Sequence, residues 1–214
     1  MNFKLFKRII RNKIALWLSY IRLLTLTRKL DKNSVVLDCG ANVGDITARF
    51  AKTGALVHAF EPDQLAFSAL EKKFRNSPNV ILHNEGVWDR ESQLLLYTHK
   101  DQPKENQKSA FTVSSSIIEN KVNIDPEHGQ LIRVIDLSAF IRNFGKRIDI
   151  IKLDVEGAET AILHKILQDE TYNLFGKMFV ETHENKIPAQ EAELDKIRQD
   201  MAKKQVKNIK LNWL

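Results

Sequence analysis

Short apolar runs alternate along the chain with segments whose apolar residues recur at helical spacing. From Ser34 onward the runs cover 35–38, 56–61, 80–84, 148–154 and 178–183, and most are apolar at consecutive positions rather than strictly alternating. Strands of that kind are buried on both faces, which predicts a parallel sheet covered by helices. Helical patterns fill the gaps. One spans 45–52 and is closed by Gly54. A second opens at Pro62 and Asp63, with Leu65, Ala66, Ala69, Leu70 and Phe74 as its inward stripe. A third opens at Gly157 and carries Ala158, Ile162, Leu163, Ile166 and Leu167, and the last, 191–203, follows Pro188. Residues 86–100 read as an extension of the sheet, 131–135 as a further strand and 137–144 as a short helix, while 99–108 is polar and reads as an exposed loop. At the end Ile209, Leu211 and Trp213 alternate with Asn208, Lys210 and Asn212. That period of two predicts a half-exposed, antiparallel edge strand. The expected fold is therefore α/β and Rossmann-like, a mostly parallel central sheet with helices on both faces and an antiparallel edge near the C-terminus.

Ahead of this pattern Phe6, Ile10, Ile14, Trp17, Ile21 and Leu24 recur at helical steps, with Lys4, Lys7, Arg8 and Arg11 largely elsewhere on the wheel. The longest uncharged run there, 14–21, is eight residues, far short of the roughly 20 that cross a bilayer. Residues 1–30 are accordingly read as a basic amphipathic helix and 31–214 as one domain. Charge sharpens this division. Of 33 basic side chains eight lie in residues 1–30, where there is no acid, leaving 25 against 27 acidic residues in the rest. A nearly neutral body disfavours nucleic acid as a partner. Two readings of the basic helix stand side by side: packing on the domain or at a homodimer seam, and contact with a membrane surface. Cys39 is the only cysteine, so no intrachain disulfide forms and a reducing cytoplasm is expected, with the inner membrane surface as the peripheral variant.

Each central run ends on a polar residue: Asp38, Glu61, Asn84, Asp154, and Glu181 with His183. In an open α/β sheet ligands bind beyond the carboxyl ends of the strands, so these ends outline a site. After Asp38 the loop reads Cys39-Gly40-Ala41-Asn42-Val43-Gly44, where glycines let a ligand approach bare backbone. Glu61, 23 positions on, suits the two hydroxyls of a ribose. The spacing is G-x-x-x-G rather than the G-x-G-x-x-G of dinucleotide binding, and Asp38 would repel a pyrophosphate while welcoming an ammonium. S-adenosylmethionine fits this pattern better than NAD.

Four stretches carry a resemblance: Val-Leu-Asp-Cys-Gly-Ala-Asn-Val-Gly at 36–44, Phe-Glu-Pro-Asp at 60–63, Ile-Lys-Leu-Asp-Val-Glu-Gly-Ala-Glu at 151–159 and Val-Glu-Thr-His at 180–183. Together they resemble the FkbM family of S-adenosylmethionine-dependent methyltransferases. The resemblance implies a class I methyltransferase fold and methylation of a hydroxyl oxygen, often on a sugar, glycan or natural product. It also implies that Asp38, Gly40, Asn42 and Gly44 form the cofactor loop, that Glu61 holds the ribose, and that Asn84, Glu85, Gly86 and Val87 lie beside the adenine.

Methyl transfer from a sulfonium is an in-line displacement, and an alcohol acceptor must also lose its proton. His183 is the candidate base; Glu181, two positions earlier, projects to the same side, and Asp154 and Glu156 stand in the same relation on the neighbouring strand end. Asp154, Glu181 and His183 have donor atoms a metal accepts but no diagnostic spacing, so no metal is assigned. His58 and His83 read as core residues. The alternatives from other classes are a cofactor-binding scaffold without turnover and an NAD-linked oxidoreductase.

Overall fold

In the computed structural model, which describes residues 27–99, 124–182 and 189–211, strand and helix alternate from the first element. The order is β1 (Val35–Cys39), α1 (Asp45–Ala51), β2 (Leu56–Phe60), α2 (Gln64–Phe74), β3 (Val80–His83), β4 (Gly86–Trp88), β5 (Ser92–His99), β6 (Ile124–Asp136), α3 (Leu137–Asn143), β7 (Ile148–Leu153), α4 (Glu159–Gln168), β8 (Phe175–Val180), α5 (Ala189–Lys203) and β9 (Ile209–Leu211). Six strands form one sheet in the order β3-β2-β1-β7-β8-β9, and every neighbouring pair is parallel. Residues 1–26 of the helix expected over 1–30, residues 100–108 of the expected loop and His183 lie outside the described residues; His99, assigned to that loop, instead ends β5. Among those described, no helix is long and apolar enough to cross a membrane.

Both faces of the sheet are covered, as consecutive apolar positions require. All five residues of β1 are buried. Leu37, Cys39, Ile151 and Leu153 pack with Ile162, Leu163 and Ile166 of α4 and with Leu194 and Ile197 of α5. On the other face Val36, Val57 and Ile150 meet Phe50 of α1, and Ala59 meets Phe67, Leu70 and Phe74 of α2. Leu65 departs from the expected stripe of α2: it is 69% exposed, since Ala66, Leu70 and Phe74 repeat every four residues on the sheet side and Leu65 falls a step off that row.

Two other expectations change. The edge strand β9 runs parallel to β8, not antiparallel. The reason is the crossover: α5 carries the chain back along the sheet, so the strand that follows must start from the same end. Residues 86–99 do not extend the sheet either. β4 and β5 pair with β6, which starts at Ile124 rather than at Leu131, to make a separate sheet in the order β4-β6-β5. After β3 the chain turns at Asn84 and Glu85, and β4 finds its parallel partner in β6.

The strand order places a topological switch between β1 and β7. The chain leaves β1 toward β2 and leaves β7 toward β8, so the loops that follow these neighbouring strands diverge and leave a crevice between them.

Candidate active site

The loop after β1 is shaped by backbone contacts. Gly40 and Ala41 both donate their N–H to the Phe60 carbonyl, at 3.0 and 2.9 Å. Gly40 has φ +80°, and a Cβ there would stand 1.8 Å from the Asp154 carbonyl oxygen. The turn after β7 is thus seated directly on the turn after β1. Gly44, also at φ +80°, leaves the space that the Phe74 and Leu70 side chains of α2 occupy. Asn42 stands at φ +50°, the left-handed region that asparagine tolerates, and its side-chain oxygen accepts the Val43 N–H at 2.7 Å.

Glu61, at the end of β2, ties this loop to the next. Its Oε2 accepts the Asn42 N–H at 2.7 Å and its Oε1 the Asp63 N–H at 2.8 Å. Asp63 in turn caps α2 by accepting from Leu65 and Ala66. Burial pushes the Glu61 carboxyl up to about 7, against the pull of the two backbone N–H groups. Each carboxylate oxygen keeps a second lone pair for a ligand hydroxyl. Of the segment expected beside an adenine, Asn84 is exposed and donates to the Glu61 carbonyl at 3.0 Å, while Glu85 pairs with Arg133 at 3.1 Å. Gly86 and Val87 are buried in β4, with the Val87 side chain in the core. Next to Glu85 a cleft of about 480 Å³ opens between His58 and α3, with Asp136, Phe140 and Phe144 among its walls.

Asp38 is fully buried, so its carboxylate is not at the surface of the crevice. Its Oδ2 accepts the Thr47 hydroxyl at 2.6 Å, and its Oδ1 lies 3.5 Å from the Lys152 ammonium. Lys152 is itself buried, donates to the Gly40 carbonyl at 2.7 Å and lies 3.2 Å from Asp154. Burial alone would lower the Lys152 ammonium, but Asp154 and Asp38 beside it outweigh that and hold it above the usual lysine range. The sequence reading passed over this lysine. A signal was present, for a charge at position 152 interrupts an apolar run and must find a buried partner; strand register supplies one, since Asp38 and Lys152 are direct partners across β1 and β7. Glu159 opens α4. It is buried, and its carboxylate accepts the Val155 and Gly157 N–H groups, which shapes the turn after β7.

Asp154 and Glu181 stand at neighbouring strand ends: both are partly exposed, and the Glu181 N–H donates to the Leu153 carbonyl at 2.9 Å. His58 is buried and His83 partly so, with ring nitrogens 3.0 Å apart and packed among Phe60, Phe140 and Phe144. Burial lowers both, His58 to about 4. Among the described residues no cluster of three His, Cys, Asp or Glu could hold a metal ion.

The family model described as "Methyltransferase FkbM domain" matches residues 38–207. Methyltransferase 1 of Beauveria bassiana (strain ARSEF 2860) is 26% identical over 167 residues, covering 72% of this chain and 66% of that protein. The match thus spans just under two thirds of the curated relative. Among solved structures, a Streptococcus mutans protein assigned as a methyltransferase and crystallised with SAH is 14% identical, with a TM-score of 0.46 over 84% of this chain and 80% of that one. A TehB-like SAM-dependent methyltransferase from Corynebacterium glutamicum ATCC 13032 is 14% identical, with a TM-score of 0.36 over 81% of this chain and 66% of that one. Likenesses this loose carry no weight beside the sheet order itself.

Proposed function

The chain belongs to the FkbM methyltransferase family, and from that premise we propose that it transfers the methyl group of S-adenosylmethionine to a hydroxyl oxygen of a sugar, glycan or natural-product acceptor. One observation carries the reading: the glycine loop after β1 is bonded through the Asn42 N–H to Glu61, the acid that ends β2, at the switch point of a parallel sheet. Bound there, S-adenosylmethionine supplies an activated methyl group whose carbon–sulfur bond breaks with the electron pair left on sulfur.

The residues fit that ligand. Glycine at positions 40 and 44 lets the loop seat closely against the turn after β7 and against α2, and Glu61 has lone pairs for the ribose hydroxyls. Asn84 and Glu85 lie where the purine end would reach the cleft beside His58. Asp38 works from behind the loop, fixing it through Thr47 and Lys152. At the acceptor side Asp154 and Glu181 border the crevice. His183, two residues beyond Glu181, takes the proton of the acceptor hydroxyl as its oxygen bonds to the methyl carbon. Residues 31–214 act as one domain in this reading.

Incubation with S-adenosylmethionine and a panel of hydroxylated acceptors, with S-adenosylhomocysteine measured as product, tests the proposal. Turnover on a polyol or glycan is expected, and His183→Ala should lower it at saturating acceptor by about 10²-fold or more. Full activity in that variant removes the base assignment. Tight binding of S-adenosylhomocysteine without turnover on any acceptor would leave a cofactor-binding scaffold.

A further inference from the structure

Lys152 stands among two carboxylates and a carbonyl. Its ammonium donates to Gly40 O at 2.7 Å and lies 3.2 Å from Asp154 Oδ2 and 3.5 Å from Asp38 Oδ1. Burial raises the Asp38 carboxyl, with Lys152 and Thr47 pulling the other way; with both carboxylates ionised, the three side chains carry one more negative than positive charge. Asp38 Oδ1 is buried without a hydrogen-bond partner, held by the ion pair alone. The two acids differ in reach: the Asp38 side chain is 0% exposed and the Asp154 side chain 24%. Asp154 also sits against the glycine loop, its carbonyl filling the place of a Gly40 Cβ. Thus the acid that a ligand on that loop can approach is Asp154, with Asp38 and Lys152 buried behind it.

Such an arrangement distinguishes ligands by charge. S-adenosylmethionine carries a sulfonium, while S-adenosylhomocysteine, the product of transfer, has a neutral thioether in its place and is otherwise the same. We infer that the Asp154 carboxylate makes this crevice charge-selective, favouring the sulfonium donor over the neutral thioether and so helping the spent product to leave. The inference rests on reading the crevice as the methyl-donor site. Neutralising Asp154 removes the surplus, because Lys152 then faces Asp38 alone, while asparagine keeps an oxygen that can accept from Lys152.

Isothermal titration of the full chain with each ligand, for wild type, Asp154→Asn and Asp154→Glu, tests it. In Asp154→Asn the Kd for S-adenosylmethionine should rise about fivefold or more, while that for S-adenosylhomocysteine moves by less than about twofold, a spread within which surface changes fall. Asp154→Glu should restore the wild-type ratio. As a check that needs no variant, raising ionic strength should narrow the wild-type ratio, because screening weakens the charge term alone. Equal weakening of both ligands in Asp154→Asn, or a wild-type ratio indifferent to salt, overturns the inference and leaves the donor site intact. A wild-type chain that binds neither ligand brings down the functional reading itself.

Discussion

Glu61 shows how one side chain links ligand binding to stability. Its carboxyl is buried, accepts two backbone N–H groups and is raised from the ordinary 4.5 to about 7. An acid raised on folding holds its proton longer in the native state than in the unfolded one, so its stabilising contribution is fully present below about 4.5 and is lost as pH climbs toward 7. Over that window the ligand-free protein should lose on the order of 2–3 kcal/mol from this group. Urea titrations of wild type and Glu61→Gln from pH 4.5 to 8 are expected to show this slope in wild type only, and the variant should bind S-adenosylmethionine at least about tenfold more weakly. Parallel curves would mean that Glu61 stays ionised throughout. The residue itself was legible from its position after the second apolar run. What could not be read was that its oxygens already serve Asn42 and Asp63, because hydrogen bonds between loops depend on how the strands are ordered.

Turns divide into those that only bend the chain and those pressed against another element. Gly40 and Gly145 both have positive φ, +80° and +73°. A Cβ on Gly145 meets nothing within 4 Å, whereas one on Gly40 would stand 1.8 Å from the backbone of Asp154. Gly145→Ala should therefore cost about 1–2 kcal/mol, the strain of the left-handed region. Gly40→Ala must separate the turns after β1 and β7 and should cost more than about 3 kcal/mol, with cofactor binding lost; unfolding midpoints and titrations with S-adenosylhomocysteine distinguish the two. The helices and buried strands were readable because their apolar spacing reflects the surfaces they cover, and the stripe from Ala158 to Leu167 packs as its spacing required. Edges were less readable. The alternation at Ile209 and Lys210 correctly marked an edge strand, but direction along a sheet is set by the crossover before it, and a period of two is the same either way up. The lysine of β7 was missed for a related reason, since its partner belongs to a strand over 100 residues earlier.

Taken whole, the molecule gathers residues from five strand ends onto one rim, which is why polar residues closing apolar runs pointed to a site before their contacts were known. The same topology buries Cys39, the only cysteine, at the end of β1 between Asp38 and Gly40. Burial, with the neighbouring Asp38 charge, pushes its thiol well above the usual range. The thiolate is the species that reacts with an alkylating reagent, so modification has to wait for this part of the core to open. Iodoacetamide labelling of the native protein would then follow the population of that opened state rather than the chemistry of sulfur. Added S-adenosylhomocysteine should slow labelling in proportion to the fraction of protein left unbound, by about a hundredfold at 100 times its Kd. An unchanged rate would place the opening motion away from the donor site. A single sulfur atom in the middle of the sheet thus offers a clock for how often the floor of the crevice comes apart.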